Sequence, residues 1–122
     1  MGEMIKEQEM SSGKITLEQR KASLRYHVQE YRKRRVIIDT DAACEADDPF
    51  AIAQALMSKM LEVKGICAEH FVEEGSMEQS YEMICRVTEA MGTEVPVLRG
   101  QTGKMSEHHG EPMTEAAQFI VG

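Results

Sequence analysis

The sequence lacks the features of a membrane or secreted protein. No apolar run approaches the roughly 20 residues that a membrane-spanning helix needs. The first residues, Met1-Gly2-Glu3-Met4, lack the basic and then apolar pattern of a signal peptide. We therefore expect a cytoplasmic protein.

Cysteine is also scarce, and its spacing excludes two common kinds of site. Cys44, Cys67 and Cys85 are widely separated, and no CxxC pair occurs. A zinc ribbon and a thioredoxin-like redox pair are therefore disfavoured. We expect Cys67 and Cys85 to be small buried side chains, whereas Cys44 lies in a segment that could line a pocket.

The composition is that of one globular domain. The chain has 122 residues, of which 42% are hydrophobic and 29% charged. Residues 1–35 contain nine Lys or Arg and five Asp or Glu, whereas residues 36–122 contain five and sixteen, which gives nets of +4 and −11. So acidic a globular part argues against nucleic acid as a partner and suits a protein that binds a cation. We expect the basic segment 32–35 to be solvated, with no nucleic-acid or membrane partner.

Local patterns predict one helix, a β-α-β-α-β unit and the first turns of another helix. A capping box at Thr16–Gln19 predicts a helix to about Tyr31. Its thin apolar stripe predicts weak packing, or packing against something outside this chain. Pro49 suits the first turn of the next helix, and a second capping box at Ser76–Gln79 predicts the following one. Strands are predicted around 36–38, 63–69 and 95–98, and a last helix at Thr114.

Strands that alternate with helices predict an α/β fold with a parallel, Rossmann-like sheet. We divide the chain into a polar, basic N-terminal extension with one helix, residues 1–34, and an α/β domain, residues 35–122. A three-stranded sheet leaves edges to be covered. We therefore expect the chain to be the N-terminal part of a larger fold.

The most informative segment follows the first predicted strand. Five carboxylates lie within ten residues: Asp39, Asp41, Glu45, Asp47 and Asp48. Open α/β sheets bind ligands at the carboxyl ends of their strands, and crowded like charges need a positive partner. Carboxylate oxygens suit a hard divalent cation, Ca²⁺ or Mg²⁺. The plainer alternative makes the last two acids favourable helix N-terminal residues and the first two solvated loop residues.

This segment resembles the N-terminal signature of the inosine–uridine-preferring nucleoside hydrolases, an apolar strand followed by DxDPGxDD. The matching residues are Val36–Asp41 and then Asp47-Asp48. The resemblance continues at Leu61–Ile66 and at Val95–Gly100, and it spans from about residue 35 to the end of the chain. It corresponds to the first third or so of a family member. We accordingly expect the β-α-β-α-β portion of a nucleoside hydrolase fold.

Two departures from the family pattern stand out. The loop Ala42–Ala46 is two residues longer than the Pro-Gly-x of the signature. Glu69-His70-Phe71 stands where the family commonly has an Asn after the second strand. Later ligands and acid groups of the family come from segments that lie beyond this portion.

The resemblance implies cleavage of the N-glycosidic bond of ribonucleosides to ribose and free base, with a Ca²⁺ ion holding the ribose hydroxyls and the attacking water. Carried onto this chain, Asp41 and Asp48 would be metal ligands, and Asp41 would also act as the general base. Asp47 would accept a hydrogen bond from a ribose hydroxyl, and Asp39 would support the loop. His70 follows the second strand and is our candidate for a further substrate-binding residue. Family members are often dimers or tetramers, so a homo-oligomer is a further expectation.

Two other functions stay open. A haloacid dehalogenase-type, Mg²⁺-dependent phosphohydrolase would use Asp39 as nucleophile and Asp41 as acid and base, although Ala43 departs from that pattern. A catalytically inactive, metal-binding fragment is the non-enzymatic alternative. Weaker candidates for the pocket are Glu45 and the segment His108–Glu111, which faintly resembles a loop near the family's base pocket.

Overall fold

The protein contains a small parallel sheet and several helices. The computed structural model describes residues 14–107 and 110–122. The strands are β1 (Arg34–Thr40), β2 (Leu61–Ala68) and β3 (Val97–Arg99), in the order β1-β2-β3. The helices are α1 (Leu17–Ala22), α2 (Asp47–Met57), α3 (Ser76–Met91) and α4 (Glu115–Val121), with 3₁₀ turns at Glu30–Arg32 and Met105–Glu107. Both strand pairs are parallel, so the predicted α/β class is confirmed.

The sheet and two helices share one core. Ile52 and Leu56 of α2, Ile66 of β2 and Ile84 of α3 are fully buried and belong to one cluster. Alternation on the strands and helical spacing on α2 and α3 place these side chains on facing surfaces. The crossover helices therefore anchor the loops that leave the carboxyl ends of the strands.

The register of β1 and β2 aligns the carboxyl ends of the two strands. Asp39 pairs with Cys67 and Thr40 with Ala68. A β-bulge between Val36 and Ile37 shifts the pairing, so that one residue of β2, Lys64, has no counterpart in β1. The segments that follow both strands therefore start side by side.

The predicted helix from Thr16 to Tyr31 is wrong in its length, because α1 ends at Ala22. The capping box at its start is confirmed. Beyond its end, the backbone carbonyls of Leu24 and Tyr26 accept hydrogen bonds from Lys59 Nζ at 2.8 and 2.7 Å. The ammonium group of Lys59 thus donates hydrogen bonds to backbone carbonyls that would accept from backbone N–H groups if the helix continued.

The thin apolar stripe predicted for this helix is confirmed, because Leu17 is its one buried residue. Leu17 is only 7% exposed and belongs to the main core cluster. Its backbone N–H donates to the carbonyl of Gly92 at 2.9 Å. The first helix is therefore attached to the end of α3.

The second predicted capping box is wrong, because Ser76 lies inside α3 and Gly75, with φ +75°, precedes it. Ser76 is fully buried, and its hydroxyl accepts from Phe71 N at 2.8 Å and donates to Phe71 O at 3.1 Å. The third strand begins at Val97 rather than Val95, although Pro96 still accepts a hydrogen bond from Ile66 N. Proline cannot donate within the ladder, which explains the later start.

The remaining expectations have mixed outcomes. Cys67 is buried as expected, but Cys85 is only half-buried, and Cys44 is exposed. None of the helices in the described part of the chain combines the length and apolar character that a bilayer crossing requires. Residues 1–13 of the expected extension, and His108 and His109, lie outside the described residues.

Candidate functional site

The acidic loop between β1 and α2 is anchored at both ends. Thr40, the last residue of β1, is buried, and its hydroxyl donates to Asp48 Oδ2 at 2.6 Å. Asp48 is the second residue of α2, so this bond fixes the start of the helix against the end of the strand. Asp41 lies between them and is half-buried, whereas Asp39 and Asp47 are exposed.

A turn shapes the loop that follows Asp41. Cys44 N donates to Asp41 O at 2.8 Å, and Ala42 is buried beneath the turn. Ala43 N donates to the buried Ser80 hydroxyl of α3 at 3.3 Å. The loop thus folds back onto α3, which keeps Asp41 near the end of its strand.

Glu69 is a member of the site that sequence reasoning treated only as a departure from a family pattern. Its backbone N–H donates to Thr40 O at 2.9 Å, which continues the pairing of β1 with β2. Burial, followed by a hydrogen bond to Asp39 and the charges of Asp39 and Asp41, raises the pKa of Glu69 to about 7. A carboxyl that shares a proton with a neighbouring carboxylate is the expected result of crowding like charges. Two adjacent parallel strands that both end at carboxylates would have been the sequence signal.

Negative charge extends over the loops after both strands. Loss of solvation, then the charges of Asp41, Glu45, Asp48 and Glu73, raise the pKa of the Cys44 thiol. Glu73 belongs to the segment after β2, so the two loops act on one region. A cysteine in so negative a field stays a thiol, which disfavours Cys44 as a nucleophile.

The donor chemistry suits calcium, but the ligands are not preassembled. Asp41, Asp48 and Glu69 offer only hard oxygen atoms, the type that Ca²⁺ prefers. The bond from Thr40 engages one oxygen of Asp48 and leaves Oδ1 for another partner. Within residues 14–107 and 110–122, however, no three His, Cys, Asp or Glu side chains are grouped closely enough to hold a metal ion. The metal ligands therefore stay a prediction.

His70 lies at the same edge of the sheet but in a neighbouring cavity. This cavity, of about 870 Å³, lies between the loops after β2 and β3, and His70, Phe71, Val72 and Lys104 contribute to its wall. Asp41 and Asp48 are not among its lining residues. The hydrogen bonds between Ser76 and Phe71 hold one wall in place. The structure therefore places His70 beside the acidic loop without bringing the two into one enclosed pocket.

Comparison with known proteins adds no further identification. No family model, no curated protein and no solved structure matches this chain. Function is therefore inferred from the carboxylates at the edge of the sheet and from the motif they form.

Proposed function

We propose that the chain supplies the calcium-binding and water-activating part of a site that hydrolyses the N-glycosidic bond of ribonucleosides. The single observation that supports this is the gathering of Asp39, Asp41, Asp48 and Glu69 where β1 and β2 end. Such a concentration of carboxylates is costly without a bound positive charge. Both a divalent cation and a substrate that becomes positive during the reaction would provide one.

The carboxylates have different environments, which suits them to different roles. Asp48 and Asp41 would hold the cation, and when bound it would lower the pKa of a water molecule and orient the ribose hydroxyls. Asp41, half-buried beside the end of β1, would accept the proton of that water as general base, an effect typically of about 10²–10⁴-fold. Asp47, exposed at the start of α2, would accept a hydrogen bond from a ribose hydroxyl. Asp39 and its partner Glu69 would hold the loop in position.

Breaking the N-glycosidic bond generates an oxocarbenium-like sugar with positive charge near C1′. Fixed carboxylates stabilise that charge without having to reorganise during the reaction. The cavity beside His70 is wide enough for a nucleobase and opens at the same edge of the sheet. We therefore assign the ribose to the acidic loop and the base to the side of His70.

The experiment is the release of reducing sugar from a panel of ribonucleosides, with Ca²⁺ and with chelator. We expect release that the chelator abolishes and that Asp41→Asn lowers by at least 10²-fold. Glu94→Gln is the matched control, since Glu94 is an exposed acid at the opposite end of the sheet, before β3. It should leave the release unchanged.

Two other results would replace the proposal. Hydrolysis of p-nitrophenyl phosphate with Mg²⁺, without sugar release, would identify the phosphohydrolase alternative. Stabilisation by Ca²⁺ with neither activity would identify a metal-binding fragment.

A further inference from the structure

A basic cavity lies at the opposite edge of the sheet from the acidic loop. It is about 440 Å³ in volume, lies between the start of α1 and the last turns of α3, and is lined by Lys14, Ile15, Arg20, Arg86, Glu89 and Ala90. Three cations and one carboxylate give it a formal net charge of +2. Lys14 and Arg20 belong to residues 1–35, whose net charge is +4, whereas Arg86 lies in the acidic part of the chain.

Arg20 has a donor without an acceptor in this cavity wall. Its Nη2 donates to Ala90 O at 3.4 Å, so the side chain is held against the end of α3. Its Nε is buried and has no hydrogen-bond partner among the described residues. A buried guanidinium N–H is costly to leave unpaired, so a ligand that draws the Arg20 head group into the cavity and supplies an acceptor would relieve that cost.

The other two cations of the cavity differ in whether they form ion pairs. Lys14 pairs with Glu89 at 3.0 Å, and both side chains are largely exposed, so this pair contributes little. Arg86 is exposed and forms no hydrogen bond or ion pair within the described ranges. Arg20 lies in the last turn of α1, where a cation is favourable by itself, but that position gives its Nε no acceptor.

We propose that this cavity binds a phosphate group, either free phosphate or a small phosphate monoester. Two guanidinium groups present several N–H donors in a planar arrangement, which suits the oxygens of a tetrahedral oxyanion better than lysine does. The cavity is about 440 Å³ in volume, so a small ligand that enters it is favoured over an extended polyanion. The site is separate from the acidic loop and does not depend on the proposed hydrolase activity.

The test is a thermal titration of the full chain with inorganic phosphate in chelator, against sodium chloride at equal ionic strength. For a Kd of about 1 mM, 10 mM phosphate should raise Tm by roughly 3 °C or more. Arg86→Gln should remove most of that shift. Arg25→Gln, which removes an exposed arginine outside the cavity, should keep it.

Two further measurements sharpen the test. Phosphate should shift the Nε–H resonance of Arg20 in a ¹⁵N-correlated NMR spectrum, a change that a general salt effect on stability would not cause. Ribose 5-phosphate compared with ribose and with phosphate distinguishes the monoester from the free ion, and preferential binding of either supports the proposal. The proposal is overturned if phosphate acts no differently from chloride, or if both arginine variants lose the response equally.

Discussion

Replacing Gly92 by alanine should detach the N-terminal helix from the rest of the domain. Gly92 ends α3 with φ +76°, a conformation that disfavours any residue with a Cβ atom. A Cβ built there would lie 2.4 Å from Ile15 O and 2.8 Å from Thr16 Cα. Both are backbone atoms, so the segment before α1 would have to move.

The magnitude follows from what that movement breaks. The left-handed conformation costs an alanine about 1–2 kcal/mol. Loss of the hydrogen bond from Leu17 N to Gly92 O adds about 1 kcal/mol, and partial exposure of Leu17 adds roughly another 1–2 kcal/mol. We therefore expect Gly92→Ala to lower the free energy of unfolding by about 3–5 kcal/mol.

Gly75 provides a matched control for the conformational part of this effect. It has φ +75°, and no described atom lies within 4 Å of a Cβ built on it. Gly75→Ala should therefore cost only the left-handed conformation, about 1–2 kcal/mol. The difference between the two variants isolates the attachment of the N-terminal segment.

Urea unfolding followed by far-UV circular dichroism gives both free energies. Limited trypsin digestion adds a local readout, because Arg20 and Lys21 lie in α1 and should be cut faster only in Gly92→Ala. Equal losses of stability in the two variants, with unchanged digestion, would refute the reasoning. That result would mean that the contact between α1 and the end of α3 contributes nothing to the fold.

Three further predictions concern the sheet and its acidic edge. The fold raises the pKa of Glu69 from an ordinary 4.5 to about 7, so the calcium-free chain should become less stable as pH rises between these values. After allowance for solvent screening, the loss should be about 1–2 kcal/mol. Thermal unfolding of Glu69→Gln should lack that decline, and parallel pH profiles of the variant and the parent chain would contradict it. Asp48→Ala should abolish the rise in Tm that Ca²⁺ gives the parent chain, and a parent whose Tm ignores Ca²⁺ would exclude the calcium site. Gly65→Ala would bring a Cβ to 2.5 Å from Phe119 Cε1 and should displace that ring, with a loss of about 1–3 kcal/mol in urea unfolding; an unchanged midpoint would show that the ring moves freely.

The order and type of the elements could be predicted because their signals are local. Short apolar, β-branched runs such as Val36–Ile38, Pro49 in a first helical turn and the capping box at Thr16 each depend on a few neighbouring residues. The length of α1 could not be predicted in this way, since it depends on Lys59 reaching the carbonyls of Leu24 and Tyr26. Competition from a distant side chain leaves no local mark in the sequence.

The residues of the candidate site also differ in whether the sequence alone could reveal them. The acidic loop from Asp39 to Asp48 could be found because its residues are close in sequence. Glu69 joins them only through the pairing of β1 with β2, which a strand pattern alone does not give. Ser76 shows the converse problem, since a serine three residues before a glutamine suggested a cap, whereas burial against Phe71 decides its position.

The bulge between β1 and β2 also explains how the sheet keeps one continuous apolar face. Val36 pairs with Val63 and Ile38 with Ile66, so partners that lie two residues apart in β1 lie three apart in β2. Ile38, Val63 and Ile66 all pack in the core. Strict alternation along β2 would turn residues three apart, such as Val63 and Ile66, to opposite sides of the sheet, and the bulge at Lys64 absorbs the additional residue so that both face the core. If Lys64 instead took a place in a regular ladder, every later residue of β2 would turn to the other face, and the register that sets Glu69 beside Thr40 would shift. One additional residue in the middle of β2 thus decides which face of the sheet each later residue of that strand occupies, up to the acidic loops at its end.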